Sequence, residues 1–175
     1  LYGVAEPERS CLSSQPRPPG IILKHPGLID VKLNDNMPLK ASILVKCLDD
    51  DLSVADWMHL LNERVFFWTT EENMLNHLQA FLRNRDGGSP PIEVLVIDTL
   101  SLATEYSGQI ELCAINSGVA IRNAARRGVQ TFTPMMKHDY KTWRKLRGKV
   151  DKIKELTVLH GVKNIEAHVV EVLQK

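Results

Sequence analysis

Apolar and polar residues alternate along "KIKELTVLHG" (152–161), so that Ile153, Glu155, Thr157 and Leu159 share one face of a strand and Lys154, Leu156 and Val158 the other. Glu155 is the odd member of its face. A solvated sheet edge explains a carboxylate there, and so does a cleft into which the strand delivers it. The pattern elsewhere predicts a mixture of short elements. "AEPERSCLSS" makes a short helix with Pro7 in its first turn, and "QPRPPG" is a stiff connector. "IILKH" and "LIDVKL" form a hairpin that turns at Pro26-Gly27. Two helices follow. "MPLKASILVKCL" places Leu39, Ile43, Leu44, Cys47 and Leu48 on one stripe, and "SVADWMHLLNER" opens on Ser53 as N-cap with Val54, Trp57, Met58 and Leu61 inward.

"RVFFW" (64–68) is a short β-rich run, followed by an amphipathic helix, "TEENMLNHLQAFL", capped by Thr70. "RDGGSPP" (85–91) breaks the chain. The nearly continuous apolar run "IEVLVID" (92–98) predicts a central strand. "LSLATEYS" is a short helix or turn, "QIELCAI" (109–115) a strand, and "NSGVAIRNAARRGVQTFTPM" mainly a long loop. "KHDYKTWRKL" is helical, and "KIKELTVLHG" and "AHVVEVLQ" are the last two strands, with a turn near Lys163-Asn164. Short strands and helices without a βαβ rhythm predict an α+β fold.

Composition adds bounds. The 175 residues, 43% hydrophobic and 25% charged, fit one soluble globular domain over 1–175. The opening "LYGVAEPERS" has no initiator Met and reads like the end of a helix already under way, which predicts that an N-terminal segment is missing. Cys11, Cys47 and Cys113 are odd in number and widely spaced, as reduced core thiols are, and no leader or membrane span is evident, so the sequence predicts a cytoplasmic protein. The acidic run "DDDLSVAD" (49–56) lacks the glycine turn and distal Glu of a calcium loop, and neither histidines nor cysteines show zinc spacing. No metal is expected. Both common phosphate-binding glycine loops are absent.

Charge is partitioned although the net is +1. Between Arg122 and Lys152 ten Lys or Arg residues face only Asp139 and Asp151, with Phe132, Tyr140 and Trp143 interleaved. Basic groups among stacking surfaces suit a nucleotide or a nucleic-acid strand, and a helix with its lysines in water is the plain alternative. Asn116-Ser117-Gly118 at a strand end allows close backbone approach to a ligand, or makes an ordinary turn.

Taken together, "CLDDDLSVADWMHLLNERVFFW", "VLVIDT", "AINSG", "RGVQTFTP", a Trp in a basic helix and "ELTVLHGVKNI" closely resemble a bacterial family of uncharacterised proteins, over nearly the whole chain. The order of these segments is more distantly similar to the DarT-type ADP-ribosyltransferases, which cleave NAD and attach ADP-ribose to a DNA base. That resemblance implies an ADP-ribosyltransferase-like α+β fold with a bent, split central sheet of short strands and flanking short helices. It implies NAD as substrate and Glu155 as the catalytic residue. Arg64, Trp68 and Thr69 would stand nearest the cleft, with Asn116, Ser117, Gly118, Thr131 and Phe132 lining it and Arg64 and Arg126 or Arg127 on phosphates. Where that family's loop carries an arginine, this chain has Thr69-Thr70-Glu71. The competing expectation is a non-catalytic module that binds nucleic acid or a protein through the basic 122–152 segment, with Glu155 paired to Lys152 or Lys154.

Overall fold

A computed structural model describes residues 2–83, 92–147 and 152–174. The predicted break at 85–91 therefore lies outside the described residues. The chain folds into two compact units, one made of Leu1–Glu63 with Asn116–Thr131, the other of Arg64–Ile115 with Phe132–Lys175.

In the first unit, helix α1 (Glu8–Ser14) starts directly after Pro7, which stands at its N-cap. It packs on a later helix of the same unit, α3 (Val54–Asn62), where Asn62 Nδ2 donates to the Ser13 carbonyl at 2.8 Å. The hairpin of β1 (Ile22–Leu23) and β2 (Val31–Lys32) is antiparallel. Gly27 in its connection has φ of 83°, a value glycine adopts without steric cost. Helix α2 (Ala41–Cys47) buries Leu44 and Cys47, and α3 buries Trp57 and Met58. Ser53 caps α3 with a full capping box: its hydroxyl accepts from the Asp56 backbone N–H while Asp56 reaches back to Ser53. The segment 116–131 is mostly irregular, as its weak periodicity predicts. Parallel bridges Leu39↔Ala120 and Leu48↔Arg127 hold it, and a short 3₁₀ turn closes it at Val129–Thr131.

The second unit contains a four-stranded antiparallel sheet and a two-stranded one. The larger has the order β3 (Arg64–Trp68), β7 (Glu155–Leu159), β5 (Ile110–Cys113), β6 (Thr133–Pro134). The smaller pairs β4 (Glu93–Ile97) with β8 (Val169–Gln174). Three helices accompany them: α4 (Glu71–Leu82), α5 (Thr99–Glu105) and α6 (Tyr140–Arg147). Leu102 and Tyr106 from α5 and its C-cap pack with Ile110, Leu156 and Val158, and Phe67, Ile97 and Leu112 close around them. This cluster covers one face of the four-stranded sheet.

The centrality expected of "IEVLVID" is corrected here. Among the described residues β4 has β8 as its sole strand partner, and the register pair Leu95↔Val172 leaves both side chains about half exposed, 44% and 50%. An apolar run reports β-propensity and burial on one face; it does not count hydrogen-bonded neighbours. The strands flanked on both edges are β7 and β5. After β7 His160 and Gly161 adopt φ of 63° and 97°, and the chain is redirected into the 3₁₀ turn Ile165–His168 and then β8. Consecutive strands thus enter different sheets, and the sheet structure of this α+β chain is divided. Among the described residues, no helix is long and apolar enough to cross a membrane.

Candidate functional site

Strand β7 decides the two explanations of Glu155. Its neighbours β3 and β5 leave it no free edge, and Glu155 is only 4% exposed. A solvated strand edge is excluded, and Lys152 and Lys154 of the same segment are exposed. Antiparallel register sets Glu155 opposite Trp68 of β3 and Cys113 of β5. Two residues on, Thr157 faces Phe66 and Glu111. Residues directly opposite in an antiparallel sheet share a face. Glu155, Thr157, Arg64, Phe66, Trp68, Glu111 and Cys113 therefore form one polar and aromatic face, opposite the face that Leu156, Val158, Ile110 and Phe67 turn to the hydrophobic cluster.

The charges on this face are organised. Arg64 makes a fork on Glu111, Nε to Oε2 at 2.7 Å and a terminal nitrogen to Oε1 at 3.2 Å, with both side chains largely buried. The Thr157 hydroxyl donates to Glu111 Oε2 at 3.4 Å. Phe132, itself buried, lies under the Arg64 guanidinium at 4.4 Å and meets Phe66 edge-on at 6.1 Å. At the Glu155 end, Trp68 is followed by a row of rings: His77 lies 5.3 Å from Trp68, and Phe81 stacks on His77 at 6.4 Å. Burial among these rings lowers the His77 pKa. Thr69 ties the chain after β3 to the approach of β7, donating from Oγ1 to the Ile153 carbonyl at 2.7 Å and from its N–H to Lys154 at 3.2 Å.

The remaining expected residues belong to the first unit, where they hold their own loop. The Asn116 carbonyl accepts from Val119 N–H, and the buried Ser117 offers its carbonyl to Arg127 at 3.1 Å. A Cβ at Gly118 would meet nothing closer than Asn116 Oδ1 at 3.8 Å, so packing alone does not require glycine there. Arg126 ion-pairs with Asp49, which raises the arginine pKa, and donates to the Lys46 carbonyl at 3.3 Å. Arg127 is 2% exposed, donates to the carbonyls of Ala125 and Ser117, and lies over the Trp57 ring at 5.5 Å. Thr131 accepts from Gly128 N–H at 2.9 Å. A groove of about 310 Å³ in this unit, lined by Val4, Leu12, Arg17 and Leu33 among others, contains none of the expected residues.

Sequence reasoning singled out Glu155, Arg64, Trp68 and Phe132 but passed over Glu111, which the same alternation in "QIELCAI" marks as a polar member of its strand. It also passed over a polar cluster on α5: Ser101 Oγ lies 2.8 Å from His168 Nδ1, and Glu105 holds Asn164, whose Oδ1 accepts from the Tyr106 hydroxyl at 2.6 Å. Among the described residues, no group of three or more His, Cys, Asp or Glu side chains is placed to hold a metal ion.

No curated protein and no solved structure is detectably similar to the chain. A family profile does match, over residues 1–169, and its description is a family of unknown function. That coverage settles membership: the chain belongs to the DUF7002 family.

Proposed function

We propose that this protein is an ADP-ribosyltransferase-like domain that binds NAD and uses Glu155 to transfer ADP-ribose to an acceptor. The observation that carries this reading is the burial of Glu155 at the start of the central strand β7, on the sheet face turned away from the hydrophobic cluster and opposite Trp68. In the proposed reaction the bond from ribose C1′ to the nicotinamide nitrogen breaks and nicotinamide departs neutral with the bonding pair. Glu155 accepts a hydrogen bond from a ribose hydroxyl, stabilises the developing oxocarbenium charge and takes the proton of the attacking acceptor. Trp68, continued by His77 and Phe81, offers a face on which a flat heteroaromatic ring stacks.

The acceptor in this reading is nucleic acid. Helix α6 exposes Lys141, Arg144 and Lys145 beside Tyr140, and Arg144 donates to the Tyr140 hydroxyl at 3.1 Å. Exposed cations next to a ring suit a phosphate backbone with unstacked bases.

The test is an NAD titration read by thermal unfolding and by nicotinamide release, on this protein and on Glu155→Gln. A ligand at a hundredfold excess over its Kd stabilises by about 2.7 kcal/mol, or about 5–10 °C in Tm for a chain of this size. The expected result is a dose-dependent rise in both proteins, with nicotinamide release falling at least about a hundredfold in Glu155→Gln. Absence of any NAD-dependent rise in both proteins rejects the reading.

A further inference from the structure

We propose that the groove of the first unit binds a small carboxylate carrying an apolar tail, with Arg9 and Arg17 on the carboxylate and Val4, Leu12 and Leu33 along the tail. This inference goes beyond the proposed function and does not rest on it. The groove measures about 310 Å³, at the small end of the range of small-molecule sites, about 300–1,000 Å³. Helix α1 supplies one wall. Its residues Arg9, Leu12 and Ser13 stand at positions i, i+3 and i+4 and so share a face of the helix. Leu33, directly after β2, and Val4 are the other apolar members, both partly buried. Two cations are among the lining residues and no acid is.

Arg17 is held in place before any ligand arrives. It stands between Pro16 and Pro18, which restrict the backbone around it. Asn36 accepts from its N–H and donates to its carbonyl, the latter at 3.3 Å. Its side chain is fixed as well: Nε donates to the Asn34 carbonyl at 3.4 Å, and Nη1 to the Leu12 carbonyl at 3.0 Å and to Asn62 Oδ1 at 3.3 Å. Among the described residues Nη2 has no partner, so Arg17 offers one nitrogen. Arg9 is exposed and makes no side-chain hydrogen bond or ion pair among the described residues. Glu6, the acid that feels its charge, gives Oε2 to the N–H and hydroxyl of Ser10 and does not line the groove. The polar members Ser13 and Asn62 are occupied, the hydroxyl on the Ser10 carbonyl and the amide on the Ser13 carbonyl and Arg17. What remains is two guanidinium groups with spare donors, which match the two oxygens of a carboxylate. The fixed Arg17 leaves little ordering to be done on binding, and the apolar lining favours a hydrocarbon tail.

The test is an amide NMR titration of this protein with sodium octanoate, sodium acetate and octylamine. Octanoate, with about ten heavy atoms, is expected to saturate with a Kd of about 1 mM, its shifts centred on Arg9, Leu12, Arg17 and Leu33. Acetate lacks the tail and octylamine reverses the charge, so each is expected to bind at least about tenfold more weakly. Arg9→Met keeps the length of the side chain, breaks no side-chain bond among the described residues, and is expected to weaken octanoate about tenfold. Arg17 also ties Leu12 and Asn62, so the comparison is carried by Arg9. No saturation by octanoate at about tenfold the expected Kd, shifts centred elsewhere, equal binding of octylamine, or an unchanged octanoate Kd in Arg9→Met each overturns the proposal.

Discussion

His168 shows how much a single buried side chain depends on a distant partner. It is 2% exposed, its Nδ1 lies 2.8 Å from Ser101 Oγ, and its Nε2 lies 3.4 Å from a Glu105 oxygen without the alignment of a hydrogen bond. A carboxylate beside Nε2 favours the tautomer that carries its proton there, so Nδ1 accepts and the Ser101 hydroxyl donates. Ser101→Ala therefore strands a buried ring nitrogen, and urea denaturation is expected to show a loss of about 1–3 kcal/mol. An unchanged midpoint would mean that the imidazole finds another partner. None of this was legible in "TLSLATE" or "IEAHVV", because a histidine and a serine so far apart in the chain carry no local sign of pairing. Glu155 was legible, since a carboxylate at a strand-period position breaks an otherwise half-apolar face. Arg126 and Arg127 were legible as cations only. That Arg127 spends its donors on the carbonyls of Ala125 and Ser117 depends on how the loop closes.

At the scale of elements, the helices declared themselves through their caps. Ser53 and Thr70 were expected as N-caps, and both accept from the backbone three residues on. Ser53→Ala is expected to cost about 1 kcal/mol, measured by chemical denaturation. The hydrogen bonds from the Ser53 side chain and then its backbone hold the Asp56 pKa below its ordinary value, so the same substitution is expected to move the Asp56 titration back upward. A midpoint for Asp56 that stays in place would separate the cap from the carboxylate. The strands were less readable. "IEVLVID" looks more central than "KELTVL", yet among the described residues β4 has one neighbour and β7 has two. Hydrophobicity measures what a strand's faces touch, whereas strand order is fixed by pairings between segments far apart in the chain.

For the molecule as a whole, the pKa shifts of His77, Asp56 and Asp139 point the same way. Desolvation lowers the His77 pKa, and hydrogen bonds lower those of Asp56 and Asp139, the latter through Thr142. In each case the unfolded chain binds more protons than the folded one between the two values, so stability falls as pH drops through that interval. Denaturation midpoints measured from pH 8 down to pH 3 are expected to decline in two stages. The first begins near the ordinary histidine value of about 6.5, and the second begins below about 4 as unfolded carboxylates take up protons. His77→Phe keeps the ring between Trp68 and Phe81 and is expected to remove the first stage alone. A first stage that persists in that variant would assign it to another group.

The sequence by itself determined most of the element inventory: the helices other than α5, which it left as helix or turn, where α3 and α4 begin, that the chain is α+β, and that Glu155 stands out on its strand. Those properties follow from periodicity, capping chemistry and side-chain branching, which act over a few residues. Only the tertiary structure decided that β7 is flanked on both edges, that Glu111 and Arg64 close a pair on the same face as Glu155, and that Ser101 meets His168. These depend on strand register and on contacts between residues dozens of positions apart, and a shift of one residue in that register would move every one of those side chains to the other face of the sheet.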